Sequence, residues 1–304
     1  MAKQLHRPAP LKAGDKVALV APSGPLLIPE RLDFAIRWLE DRGLVPICAE
    51  SCTARHGYLA GEDDLRARDI NLAFKDANIK GIFCIRGGYG AARILDRINY
   101  DIVRKNPKFF CGYSDVTALH TAINQRAGLM TFHTPMLCQA DFCHADPYTL
   151  GHFEKYMFKT DISGGIFNPM GRKWEFVSGG RAVGLLCGGN LSVITSLMGT
   201  TYEIDTKDKI VFFEDVGEEP YKIDRMLTQL RLSGKLDAAA GIIFGDFADC
   251  DAVEVKEIIR GFAKCLKIPI LYNFACGHCA PTASLPLGTV AALDSFVNSL
   301  QIMS

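Results

Sequence analysis

Short apolar runs alternate with amphipathic stretches along the first half of the chain. Residues 16–22 form such a run and end in the loop Ser23-Gly24-Pro25. Ile28, Leu32, Ala35, Ile36 and Leu39 then recur at the spacing of one helix face, and Gly43 supplies a stop. The pattern predicts further strands at 44–48, 79–85, 109–112 and 129–132, and helices at 66–75 and about 115–126. The strand at 79–85 runs directly into Arg86-Gly87-Gly88-Tyr89-Gly90 and a helical 91–95. Strands alternating with helices predict a parallel sheet covered on both faces.

Between 161 and 180 the periodicity dissolves among Gly164, Gly165, Pro169, Gly171, Gly179 and Gly180, which reads as an inter-domain linker. Beyond it come a strand at 183–187, the turn Gly188-Gly189-Asn190 and an apolar helix through Leu197. Pro220 suits the first turn of a helix in which Ile223, Met226, Leu227 and Leu230 share a face. A buried strand at 241–245 and a closing hairpin at 289–293 and 297–302 complete the pattern. The domain reading is therefore 1–160, a linker at 161–180, and 181–304.

Composition narrows the class. Of 304 residues 48% are apolar, enough for a large core, and 34 basic side chains balance 34 acidic ones. That balance argues against a nucleic-acid partner or an anionic membrane surface. The basic N-terminus lacks a following apolar stretch, so neither a secretory leader nor a membrane helix is expected. Eleven scattered cysteines, an odd count, read as reduced thiols of a cytoplasmic protein.

Three strand-like runs end in residues suited to amide hydrolysis: Ser114, Glu214 and His278. Ser114 lies where a sharp strand-to-helix turn lifts a hydroxyl above a sheet edge, with the Asp115 amide aimed at a developing oxyanion; it also reads as a helix N-cap. The 86–90 loop reads as a second oxyanion donor, a phosphate cradle or a tight turn. Glu214 stands at a strand end, where open sheets build their sites, or is a surface acid there, with Asp215, Glu218 and Glu219 as competitors. His278 lies in Cys276-Gly277-His278-Cys279, which also reads as a redox motif, as part of a zinc site with Cys138, Cys143 and His144, or as a structural loop histidine. The absence of a helical pattern after Cys276 and of paired knuckles counts against the redox and zinc readings.

Taken in order, Gly14-Asp15-Lys16 through Ser23-Gly24, Arg86 to Gly90, Gly112-Tyr113-Ser114-Asp115, Gly188-Gly189-Asn190-Leu191, Glu214-Asp215-Val216-Gly217-Glu218 with Tyr221 and Asp224-Arg225, and Gly277-His278 with Leu285-Pro286-Leu287-Gly288 resemble the LD-carboxypeptidase family of serine peptidases. That family includes muramoyltetrapeptide carboxypeptidases and microcin C self-immunity proteins. The resemblance spans nearly the whole chain. It implies an α/β fold, with a Rossmann-like N-terminal domain and a smaller β-rich C-terminal domain, and a site between them. It implies Ser114 as nucleophile, Glu214 as carboxylate, His278 as base, and the amides of Gly88 and Asp115 as oxyanion donors. No metal or organic cofactor is implied. Homodimers are usual in such relatives, and the implied substrate is a murein peptide ending in a D-amino acid. Arg86 and Arg225 are candidates for the substrate carboxylate, Ser23 and Asn190 for its walls. The cysteines flanking Gly277-His278 depart from the family pattern and raise the expectation of an oxidation-sensitive site. The rival substrate is a peptidyl-nucleotide, with Trp174 as platform for its base. A non-catalytic two-domain binding protein is the alternative from another class.

Overall fold

The computed structural model describes residues 4–303. The chain divides into two compact units, one of residues 5–160 with 284–286, the other of residue 4, 161–283 and 287–303.

The first unit alternates strands and helices: β1 (Lys16–Val20), α1 (Glu30–Glu40), β2 (Val45–Cys48), α2 (Asp63–Lys75), β3 (Ile79–Cys84), α3 (Tyr100–Lys105), β4 (Phe109–Gly112), α4 (Thr117–Ala122), β5 (Thr131–His133) and α5 (Pro147–Phe158). Asp146 caps α5 by accepting from the amides of Tyr148 and Thr149, and Pro147 fits the first turn, where no amide partner is needed. β2, β1, β3, β4 and β5 lie side by side in that order, all parallel. Phe83, Phe109, Phe110 and Phe132 are fully buried among them, each contributing roughly 1.5–3 kcal/mol. The helix expected at 115–126 is broken into a tight turn at Ser114–Val116, the short α4 and a wide turn at Ile123–Ala127.

The second unit contains β6 (Gly164–Ile166), β7 (Glu175–Ser178), β8 (Arg181–Asn190), α6 (Leu191–Ser196), β9 (Ile210–Val216), α7 (Pro220–Leu232), β10 (Gly241–Ala248), α8 (Ala252–Ala263), β11 (Ile270–Tyr272), then β13 (Val290–Asp294) and β14 (Ser299–Met303). The intervening β12 (Leu285–Leu287) edges the first unit's sheet beside β5. The order is β6-β14-β13-β8-β9-β10-β11-β7. Strands β8 to β11 are parallel, and antiparallel strands flank them. Val211, Phe213, Ile242 and Phe244 face α6, α7 and α8 in one apolar cluster.

Residues 161–180, expected to link two domains, instead supply β6 and β7 to the edges of this sheet. Glycine and proline interrupted the periodicity there, but edge strands need few side-chain contacts to pair. With eight strands this unit is the β-rich one, and the smaller of the two, as expected. The chain thus has the α/β class expected, one sheet parallel among β1 to β5 and the other mixed.

Candidate active site

Strand alternation decides which acid at the end of β9 meets the histidine. Val211 and Phe213 face the helices, so Asp215 faces them too, and Glu214 points to the opposite side. Glu214 is fully buried, and its Oε2 lies 2.6 Å from Nδ1 of His278. Gly277 makes this approach possible: it has φ +124°, and a Cβ there would stand 2.7 Å from the same carboxylate oxygen. His278 is mostly buried, with 15% of its side chain exposed. Burial alone would depress the imidazole pKa, but the charge of Glu214 and its hydrogen bond outweigh that and raise it. A carboxylate at Nδ1 favours the tautomer that leaves Nε2 as the basic nitrogen.

Asp215 serves the other face. It accepts from Asn190 Nδ2 at 2.9 Å and from the Ser192 amide at 2.9 Å, tying β9 to the start of α6. Burial, then the neighbouring Glu214 charge, pushes its pKa up to about 6. Asn190, expected to line a substrate, also caps α6 by accepting from the Val193 amide and from Ser192 Oγ. Its side chain is committed to the fold because the helix begins at the next residue. Glu218 lies 3.7 Å from Lys222, and Glu219 leads into α7. Arg225 is exposed on α7 over the ring of Tyr221.

The first unit gathers a separate set. Ser114 follows β4 at φ +61°, a left-handed conformation uncommon for serine. It opens the tight turn rather than capping it: no side-chain cap bond closes that turn. A Cβ on Gly87 would lie 2.9 Å from Ser114 Oγ, so the glycine-rich loop comes up against the hydroxyl. Asp115 is buried and accepts from the Ala91 amide at 2.8 Å, fastening that loop to the serine turn. The Gly24 amide donates to Gly87 O at 2.9 Å, and Ser23 is fully buried beside them. Burial pushes the Asp115 carboxyl up, while Ser23, the Ala91 amide and Arg66 draw it back. Arg86 is half-buried near Gly24, and Gly88 is exposed.

Sequence reasoning missed Arg66. Its guanidinium is fully buried and donates to the carbonyls of Pro22 and Gly90, holding two of these loops together. A lone arginine in an amphipathic helix gives no sign of this.

The redox reading of Cys276-Gly277-His278-Cys279 fails on geometry. No helix begins at Cys276; the segment is a loop after β11. Burial pushes the Cys279 thiol up to about 12 and that of Cys276 well above its ordinary value, the reverse of a reactive pair. Among the described residues no group of three or more His, Cys, Asp or Glu is placed to hold a metal ion, and no helix is long and apolar enough to cross a membrane.

Residues 17–134 match the LD-carboxypeptidase N-terminal domain and residues 183–293 the LD-carboxypeptidase C-terminal domain. A protein of Bacillus subtilis described as a probable murein peptide carboxypeptidase is 40% identical over 95% of this chain and 92% of its own length. The murein tetrapeptide carboxypeptidase of Pseudomonas aeruginosa is 28% identical, over 92% of this chain and 93% of that one. Among solved structures, an MccF-like protein from Bacillus anthracis superposes with a TM-score of 0.88 at 28% identity, covering 98% of this chain and 99% of that chain.

Proposed function

Because this chain belongs to the LD-carboxypeptidase family and is accordingly a serine peptidase, we propose that it removes the terminal D-amino acid, D-alanine, from murein tetrapeptides through Ser114, Glu214 and His278. The observation that carries this reading is the 2.6 Å hydrogen bond between a fully buried Glu214 and His278.

In the proposed reaction Ser114 Oγ attacks the carbonyl of an L-configured centre while His278 Nε2 takes its proton. Glu214 holds the imidazole tautomer and stabilises the imidazolium. The amides of Asp115 and Gly88 receive the oxyanion; losing one such donor costs about 3 kcal/mol of transition-state stabilisation. Protonated His278 then protonates the leaving amine, and water, activated by the same base, clears the acyl-enzyme. Arg86, half-buried beside the Gly24 and Gly87 loops, is the favoured group for the substrate's terminal carboxylate. Exposed Arg225 is the second candidate. The reaction fits cytoplasmic recycling of murein peptides by a homodimer.

The test supplies a murein tetrapeptide to the purified protein and follows free D-alanine by mass spectrometry. Release by the wild type and its loss in Ser114→Ala, Glu214→Gln and His278→Ala support the reading; continued release from Ser114→Ala sinks the acyl-enzyme scheme.

A second reading, hydrolysis of a peptidyl-nucleotide amide, draws on Trp174. Its ring stacks on the exposed Phe167 with centroids 6.4 Å apart, an aromatic surface on which a base can lie. An aminoacyl-nucleotide amide offered beside the tetrapeptide distinguishes the two by which is consumed.

A further inference from the structure

We propose that Arg172 and Asn168 are positioning residues for His278, fastening the turn that carries the imidazole without touching substrate. The inference rests on the reading of His278 as the base. It arises from a stretch, 167–174, that carries no regular secondary structure yet meets the chain just ahead of that histidine.

After β11 the chain turns through Asn273 in a left-handed conformation at φ +65°. Such a residue leaves its backbone groups without strand partners, and the 167–174 stretch supplies them. Asn168 Nδ2 donates to Asn273 O at 2.8 Å, and its Oδ1 accepts from the Ala275 amide at 2.8 Å. One side-chain amide thus imitates a neighbouring strand across residues 273–275. Arg172 Nε donates to Asn273 Oδ1 at 3.1 Å, and Asn273 Nδ2 donates back to Lys173 O at 2.7 Å. The other arm of Arg172 reaches Asp246 Oδ1 at 2.6 Å. Asp246 is itself part of the grip, because its amide donates to Cys276 O at 2.9 Å. In addition, the Ala283 amide donates to Ala275 O at 2.7 Å and Thr282 Oγ1 accepts from the Gly277 amide at 3.2 Å. Backbone groups of residues 273, 275, 276 and 277 are therefore held before the chain reaches His278.

The ion pair also sets the local field. Glu214 and Asp215 on β9 and Asp246 on β10 act on His278. Cys276 and Cys279 lie on its own loop, and Arg172 is a cation that acts on both thiols alongside Asp246. With side chains 24% and 18% exposed, Arg172 and Asp246 are partly screened from water, so removing Arg172 leaves unbalanced an Asp246 charge that already acts on the imidazole, and removing Asp246 takes that charge away.

The experiment titrates His278 by NMR of its labelled ring in a Ser114→Ala background, alone and with Arg172→Met, Arg172→Lys, Asp246→Asn or Asn168→Ala. The same changes in active enzyme are assayed for kcat and KM against pH. Arg172→Met should raise the His278 pKa by about half to one unit, since it leaves the Asp246 charge unbalanced, and Asp246→Asn should lower it by a similar amount, since it removes a charge that raises it. In active enzyme, Arg172→Met and Asn168→Ala should lower kcat about 10-fold or more with KM within about twofold, because only the alignment of the base is disturbed. Arg172→Lys should keep the wild-type titration while recovering part of kcat. A titration unmoved in both Arg172→Met and Asp246→Asn, or kcat unchanged in Arg172→Met and Asn168→Ala, overturns the proposal. If Arg172→Met does not fold, Asp246→Asn and Asn168→Ala decide it. Should the wild type release no D-alanine, the proposed function fails, and the ring titrations still decide whether Arg172 governs His278.

Discussion

Nδ1 of His278 and Oε2 of Glu214 stand 2.6 Å apart, with the carboxylate wholly buried and the ring partly open to solvent. The charge on Glu214 outweighs burial and raises the imidazole pKa. In the proposed reaction His278 is the base and must be neutral to act, so kcat/KM should rise with pH through a midpoint above the ordinary imidazole value of about 6.5. Glu214→Gln should lower kcat about 10³–10⁴-fold and move that midpoint downward, as measured by D-alanine release across pH. The stabilising effect of the pair has the opposite course. It is fully present below the unfolded imidazole value and fades as pH rises through the higher folded one.

Gly277→Ala places a Cβ 2.7 Å from Glu214 Oε2 at a backbone φ of +124°. It should cost about 1–3 kcal/mol of stability and reduce kcat by about 100-fold. Urea unfolding and steady-state kinetics on the same preparation check both numbers. Wild-type kcat in this variant would separate the glycine from the alignment of the pair.

Ser114 holds a left-handed conformation at φ +61°. Ser114→Gly and Ser114→Ala should both be inactive, yet the glycine variant should be the more stable by about 1 kcal/mol, because only it adopts that conformation without strain. Thermal unfolding of the two proteins side by side tests the comparison; an alanine variant of equal or greater stability would show that the turn relaxes.

Asp215 has a folded-state pKa of about 6, above that of an unfolded aspartate. The folded protein therefore holds the extra proton between about pH 4 and 6, and this group's contribution to stability should fall as pH rises through that window. Asp215→Asn should flatten the pH dependence of unfolding there, and should weaken the protein at neutral pH by about 1–3 kcal/mol, since one of its two acceptor oxygens becomes a donor facing Asn190 Nδ2 or the Ser192 amide. Denaturant titrations at several pH values resolve the two effects.

The cysteines beside His278 should be slow to react, against the expectation of an oxidation-sensitive site. Cys276 is buried and bonds to Ala283 O, and the Cys279 thiol is pushed up to about 12 by burial. A thiol reagent at pH 7.5 should label exposed Cys143 and Cys265 well before either. Mass spectrometry of the labelled peptides reads the order, and early labelling of Cys279 contradicts it.

The parallel sheet of the first unit was legible because its strands and helices announce themselves locally, as in the run from Lys16 to Val20 and the face of Leu32, Ala35 and Leu39. The hairpin of β13 and β14 and the Pro220 helix start were legible for the same reason. Residues 164–166 and 175–178 were not, because an edge strand is recruited by the backbone of its neighbour and leaves almost no trace in side-chain period. The candidate residues Ser114, Glu214 and His278 could be named from order and type alone. Sequence offered Glu214 and Asp215 as adjacent acids; tertiary structure gave one to His278 and the other to α6, since consecutive strand residues face opposite sides and the packing of the helices decides which side is which. It likewise gave Asn190 to a helix cap and Arg172 to a distant turn, contacts set by chain segments that meet only after folding.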